Sequence, residues 1–259
     1  GFAMKQHIDT IPVWEAYQAD CECPLCRIRL KNEAMYVDNF LGASVMEPST
    51  RVEVNQKGFC QRHFQMMFDS GNRLGLALLC HTYLKETMAK LDKDAQGAKD
   101  AAAGEAGKSI FARVGGKKAE GVQAAVDSAR EIAGKCILCE RLDATMDRYV
   151  YTLIYMWKHE SEFRAAFEKS KGFCLNHYAQ VLAQAQKDLG GKELKQFVDM
   201  LCDLQKQNLE RIEKEIEWFT LKFDYRNQSK PWGNSQDAVE RTINKLRGAC
   251  VGDLKIPEE

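Results

Sequence analysis

Proline is scarce in this chain of 259 residues, at 5, so little in the sequence interrupts a helix. No stretch alternates apolar and polar residues for long enough to argue a sheet. No apolar run approaches the roughly 20 residues that span a bilayer. Neither sign of charge predominates: 37 basic and 37 acidic side chains give a formal net charge of +0. No global field therefore steers the chain toward nucleic acid or membrane. Residues Gly1–Ile8 have no apolar core of a secretory signal, so the expected location is cytoplasmic. No Walker loop, G-x-S-x-G elbow or dinucleotide glycine fingerprint is present. His81 and His159 stand without an acid or nucleophile at catalytic spacing. An enzyme is not expected.

What is abundant is cysteine, at 10 residues. In a chain without an export signal, thiols argue for metal binding over disulfides. Eight potential ligands fall into one signature that occurs twice. Cys23-Pro-Leu-Cys26 is followed by Gly58-Phe59-Cys60-Gln-Arg-His63, and Cys136-Ile-Leu-Cys139 by Gly172-Phe173-Cys174-Leu-Asn-His177. Each copy reads C-x2-C, about 33 or 34 residues, then G-F-C-x2-H. Three thiolates and one imidazole complete a tetrahedral set for structural zinc, so two zincs per chain are expected, one per copy. Four protein ligands leave no open position for a catalytic water. Disulfides are the main rival reading, and a Cys3His iron–sulfur cluster is a second. Haem attachment is disfavoured by Arg27 and Glu140, which stand where C-x2-C-H needs histidine.

The flanking residues carry expectations too. Arg27, Lys57 and Arg62, with Lys135 and Lys171, are placed to soften the negative charge of the thiolates. Gly58 and Gly172 fit a turn closed to larger residues, with Phe59 and Phe173 beneath it. Of the remaining cysteines, Cys80 and Cys202 fall on apolar helical stripes and read as small buried hydrophobes.

The fold class expected is all-α: two pseudo-repeated, zinc-stapled three-helix modules and a C-terminal helical tail. With Met4 taken as the natural start, the first module covers 4–93 and an Ala/Gly/Lys-rich linker 94–121. The second module covers 122–223, and a tail with a short helix 224–259. Tyr36-Val37 aligns with Tyr149-Val150, Glu47 with Glu160 and Arg51 with Arg164, all at an offset of 113. Pro48 is expected to end the first long helix, and Ser235 to cap the last, which Gly248 ends. The helix from Glu193 to about Phe223 has a broad apolar stripe that reads as a bundle face or as the seam of a homodimer. Lys222, Arg226, Lys230, Arg241, Lys245 and Arg247 gather near Phe223, Tyr225 and Trp232, which makes a nucleic-acid surface a minor candidate.

The motifs also resemble a known family. His7-Ile-Asp-Thr-Ile-Pro12, Cys23-Pro-Leu-Cys26, Lys57-Gly-Phe-Cys60 with His63, and Asn72-Arg-Leu-Gly-Leu-Ala77 are similar to an uncharacterised bacterial family, domain of unknown function 6062. So are Lys171-Gly-Phe-Cys174 with His177, and Asp224-Tyr-Arg-Asn227 with Pro231-Trp-Gly233. That resemblance implies no activity. The functional expectation is a zinc-binding interaction or regulatory module with a protein partner. A thiol/zinc redox switch and nucleic-acid binding are the alternatives.

Overall fold

The computed structural model describes residues 2–108 and 120–254, with side chains from residue 8 onward. Among the described residues all regular structure is helical. The helices are α1 (Phe2–Gln18), α2 (Pro24–Leu41), α3 (Pro48–Lys57), α4 (Gln61–Asp69), α5 (Arg73–Ala106) and α6 (Glu120–Gly134). They continue with α7 (Ile137–His159), α8 (Ser161–Glu168), α9 (Leu175–Asp188), α10 (Gly191–Leu221) and α11 (Ala238–Arg247), with 3-10 turns at Ala43–Met46 and Tyr225–Asn227. No helix among them is long and apolar enough to cross a membrane.

The chain divides into two compact units: unit I is Gly1–Asn32 with Asp143–Glu259, and unit II is Glu33–Leu142. This differs from the expected boundaries, which followed the order of the two motif copies. The first part of α2 and most of α7 belong to unit I, and their remainders to unit II.

The core of unit I is aromatic. Trp14 and Tyr17 of α1 meet Phe163 of α8 edge-on at 5.4 and 4.9 Å, and Trp157 meets Phe197 of α10 at 5.0 Å. Phe167 links this cluster to Phe173 beside a metal-ligand loop, at 6.0 Å. In unit II, Phe40 of α2 packs edge-on against Phe59 at 5.1 Å, under a cation–π contact from Arg141. Along the apolar stripe of α10, Phe197, Leu201, Leu204 and Ile212 are buried within the chain, and Leu194, Leu209, Ile216 and Phe219 are half-buried.

Three local expectations change. The first long helix already ends at Leu41, and Pro48 instead opens α3 at the first position, where its missing N–H costs nothing. The last helix starts at Ala238, after Asp237, and Ser235 instead lies buried before it. Most of the expected linker is helical: α5 runs through to Ala106, and α6 begins at Glu120. Gly107 and Lys108 leave the helix, and residues 109–119 lie outside the described residues. Between residues 94 and 106 alanine's high helix propensity outweighs the isolated glycines. Packing uses those glycines, because a Cβ on Gly121 would collide with the Gly97 carbonyl and Ala101. Ser128 also hydrogen-bonds Asp94 across the α5–α6 pair. This arm has no fully buried residue in α6 and none in α5 beyond Leu79.

Candidate metal centres

Each ligand pair grows from the start of a helix. Cys23 immediately precedes α2, whose first turn holds Cys26; the Cys26 N–H donates to Cys23 Sγ at 3.4 Å. Cys136 precedes α7 in the same way, and the Cys139 N–H donates to Cys136 Sγ at 3.3 Å. Cys60 and Cys174 are the N-caps of α4 and α9. Thiolates at helix N-termini face unpaired N–H groups and the positive end of the helix dipole, which favour negative charge there.

The turns before the N-caps need glycine. Gly58 and Gly172 have φ of 62° and 74°, a region that L side chains rarely enter. A Cβ on Gly58 would enter the Tyr83 ring, and one on Gly172 would sit 2.6 Å from Gln205 Oε1. Gln205 is fixed there, because it accepts from the Phe173 N–H at 2.9 Å and donates to the Phe173 carbonyl at 2.7 Å. Phe59 and Phe173 are both buried, as expected.

All eight expected ligands fall into two clusters, but not in the expected pairing. Cys23 and Cys26 meet Cys174 and His177; Cys60 and His63 meet Cys136 and Cys139. Each cluster takes its C-x2-C from one copy and its C-x2-H from the other. Sequence reasoning paired neighbours because the shorter loop loses less entropy. Yet loop closure costs only about 0.6 kcal/mol per doubling, so moving from 33 residues to the 148 between Cys26 and Cys174 costs roughly 1 kcal/mol. Packing of the helices that carry the ligands decides against so small a bias.

The geometry is that of a tetrahedral donor set. In centre I, Cys26 and Cys174 sulfurs lie 3.6 Å apart, and His177 Nδ1 lies 3.3–3.5 Å from all three sulfurs. In centre II, Cys60 and Cys139 sulfurs lie 3.7 Å apart, and His63 Nδ1 lies 3.2–3.4 Å from its three sulfurs. A tetrahedral ion with metal–sulfur bonds of about 2.3 Å requires sulfur–sulfur edges of about 3.8 Å. The residues therefore fit a metal ion at each centre. No disulfide joins any two of the ten cysteines in the structure.

The surroundings of the two centres differ. His63 Nε2 lies 2.8 Å from Glu33 Oε2, and Arg62 donates to both oxygens of Glu33 at 2.7 and 3.2 Å. Burial raises the Glu33 pKa, but the bonds from His63 and Arg62 outweigh it and hold the carboxyl at about 2. Burial lowers the His63 pKa, but its bonds to Cys136 and then Glu33 outweigh that and lift it to about 9. Cys136 shows the reciprocal effect: burial pushes it up, but His63 and backbone N–H groups bring it down to about 6. Among the described residues His177 has no carboxylate partner. In centre I all four ligands are buried, whereas in centre II only His63, at 1% exposure, and Cys136 are.

The expected charge-softening lysines do something else. Lys57 pairs with Glu140 at 2.8 Å, Lys171 with Asp20 at 2.6 Å and Lys135 with Glu131 at 2.8 Å. The first turns of the ligand helices bring backbone N–H groups onto Cys23, Cys136 and Cys174. Cys80 and Cys202 are only half-buried, and Cys202 Sγ lies 3.2 Å from the Tyr178 hydroxyl.

A cleft of about 750 Å³ opens beside Cys23 and Cys26 in unit I. Glu22 accepts there from Arg211 at 2.5 and 3.2 Å and from Arg241 at 3.3 Å, while Glu215 shares both arginines. Sequence reasoning missed this network because its partners stand 189 and 219 residues from Glu22. It also absorbs part of the candidate nucleic-acid surface. Lys222 is buried and donates to the carbonyls of Asn227 and Gln228, both at 2.9 Å. Arg226 pairs with Asp224, Lys230 with Asn227, and Lys245 is buried. Those cations close the fold of the tail.

Comparison with known proteins places these centres in a family. No solved structure matches the chain. It is similar to an "Uncharacterized 23.9 kDa protein in xynA 3'region" from Caldicellulosiruptor sp. (strain Rt8B.4), 23% identical over 223 residues, covering 85% of this chain and 95% of that protein. Residues 4–253, which hold all eight ligands, match the family of unknown function DUF6062, and the chain belongs to that family.

Proposed function

We propose that this protein binds two structural zinc ions in closed Cys3His centres and acts as an interaction or regulatory module in a reducing compartment. The observation that carries the reading is the pair of four-donor clusters, each with tetrahedral edge lengths and each built on two helix N-termini. Zinc suits three thiolates and a neutral imidazole, and a closed set supplies folding free energy in place of a reactive position. The α5–α6 arm supports the interaction role: Leu84, Met88, Leu91, Val122 and Val126 are exposed along it. Elemental analysis with thiol titration tests the metal assignment. Two zincs per chain are expected; iron with sulfide, or oxidised thiols without metal, rejects it. Gel filtration of mixtures with candidate proteins, with and without charged substitutions at Leu84 and Met88, tests the arm.

Centre II favours a second reading as a redox switch, because Cys60 and Cys139 are only half-buried and 3.7 Å apart. A peroxide would be reduced to water as their two thiolates form one disulfide and the zinc leaves. Release of one zinc per chain by mild peroxide, reversed by thiol reductant, is the expected result; full retention of both ions rejects it.

A further inference from the structure

Centre I has a companion that centre II lacks among the described residues: the C-terminal segment from Ala238 to Leu254. Lys245 of α11 is 1% exposed, an unusual place for an ammonium. Its Nζ donates to the carbonyl of Glu22 at 2.7 Å and to the carbonyl of Lys171. Glu22 immediately precedes Cys23, and Lys171 opens the Lys-Gly-Phe-Cys174 turn. One buried cation thus ties together the two loops that deliver the thiols of centre I. The carboxylate nearest to it, Glu22 Oε1 at 3.7 Å, is already bound by Arg211 at 2.5 Å.

The chain then turns back onto the centre. Gly248 ends α11 at φ 94°. The Asn244 side chain fastens the loop beyond it, accepting from the N–H groups of Cys250 and Val251 at 2.9 and 3.1 Å and donating to the Val251 carbonyl at 3.0 Å. This loop aims the Ala249 N–H at Cys26 Sγ, 3.4 Å away. The backbone N–H bonds of Cys26 and His177 to Cys23 and Cys174 are local; the bond from Ala249 crosses 223 residues.

A divalent ion with three thiolates and a neutral imidazole carries one net negative charge. We propose that Ala238–Leu254 is a cap that recognises this charge, with the Lys245 ammonium balancing it and the Ala249 N–H bonding one thiolate. The cap then docks on the metal-loaded centre and slows release of its ion. The inference rests on the zinc reading above and gives the tail a role as an occupancy-dependent element. Lys245 and Ala249 act through the ligands and are positioning residues.

The test uses the full zinc-loaded chain and a chelating dye that follows zinc release, with the two phases assigned from Cys174→Ser and Cys60→Ser. Lys245→Met and Ala249→Pro should each speed release from centre I by about 10- to 100-fold, the range for groups supporting metal ligands, and leave centre II unchanged. Equal acceleration at both centres, or none at either, overturns the cap while leaving the zinc reading intact. A wild-type chain that binds no metal overturns both. Hydrogen exchange supplies the reciprocal measurement, read as loss of protection in residues 238–254 beyond any general loosening that α10 of the same unit reports. Residues 238–254 should lose protection in Cys174→Ser and keep it in Cys60→Ser; retained protection in Cys174→Ser overturns the coupling.

Discussion

Centres I and II are assembled from the same residue types on the same kind of helix N-terminus, yet they are supported differently. Centre I is buried on all four ligands and receives an N–H from a distant tail. Centre II is more open and holds its histidine through a carboxylate, Glu33, that an arginine also grips. At the offset of 113 the counterpart of Glu33 is Met146, a buried apolar residue. One four-ligand frame can therefore be stabilised either by excluding water or by orienting the imidazole. A metal-ligating histidine gains basicity and a fixed tautomer from a carboxylate on its other nitrogen. A centre without that bond depends more on packing.

The pairing of ligands across the copies is the largest effect to break. Cys23→Ser combined with Cys174→Ser should remove one zinc per chain, because both belong to centre I. Cys23→Ser combined with Cys60→Ser should remove both. The opposite pattern in elemental analysis would restore pairing within each copy. Loss of a structural zinc forfeits folding free energy of the order of 10 kcal/mol in small modules, so the affected unit should also lose helicity by circular dichroism.

Next in size are the ligand turns. Gly172→Ala should cost about 2–4 kcal/mol, read from the shift in urea midpoint, since it adds left-handed strain to a clash with a doubly bonded, buried Gln205. Gly58→Ala should cost less, about 1–2 kcal/mol, because Tyr83 is only half-buried and can swing aside. Equal costs would mean that the neighbours do not matter.

Glu33→Gln sharpens the contrast between the histidines. It should weaken metal retention at centre II by about 10-fold and leave centre I untouched. The Glu33 pKa falls from 4.5 to about 2 on folding, so the carboxylate's contribution is complete above 4.5 and disappears as the pH drops through about 2. The stability gap between wild type and Glu33→Gln should be constant from neutral pH to 4.5 and narrow below it. A gap that widens toward acid would contradict this assignment. The smallest effect is expected from Lys57→Ala and Lys171→Ala. Their ion pairs are exposed enough that each change should cost under about 1 kcal/mol, and less in high salt.

Much of this was legible in the residues. Scarce proline and helical periodicity announced the helices, and the doubled signature named every residue of the two Cys3His clusters. Glycine before Phe-Cys gave the turn, because few other residues adopt positive φ. What misled was proximity. The 94–106 stretch looked like linker because its composition is shared by flexible segments, while its alanines favour helix and its small residues let α6 pack closely on α5. Lys57 and Lys171 looked like charge compensation for the thiolates because they are neighbours in sequence, yet their nearest acids lie 83 and 151 residues away. Lys245 looked like part of a solvated or nucleic-acid face, because nothing in a run of ten residues shows that a lysine will be buried.

The sequence by itself determined the helical class, the eight residues of the two clusters and the glycine turns, since each follows from local backbone and side-chain chemistry. The tertiary structure alone decided which cysteine pair meets which histidine, that Glu33 supports one centre only, and that the tail closes over the other. Those outcomes turn on contacts between residues far apart in the chain. Loop entropy discriminates among such contacts by only about a kilocalorie per mole, so the packing of whole helices settles them.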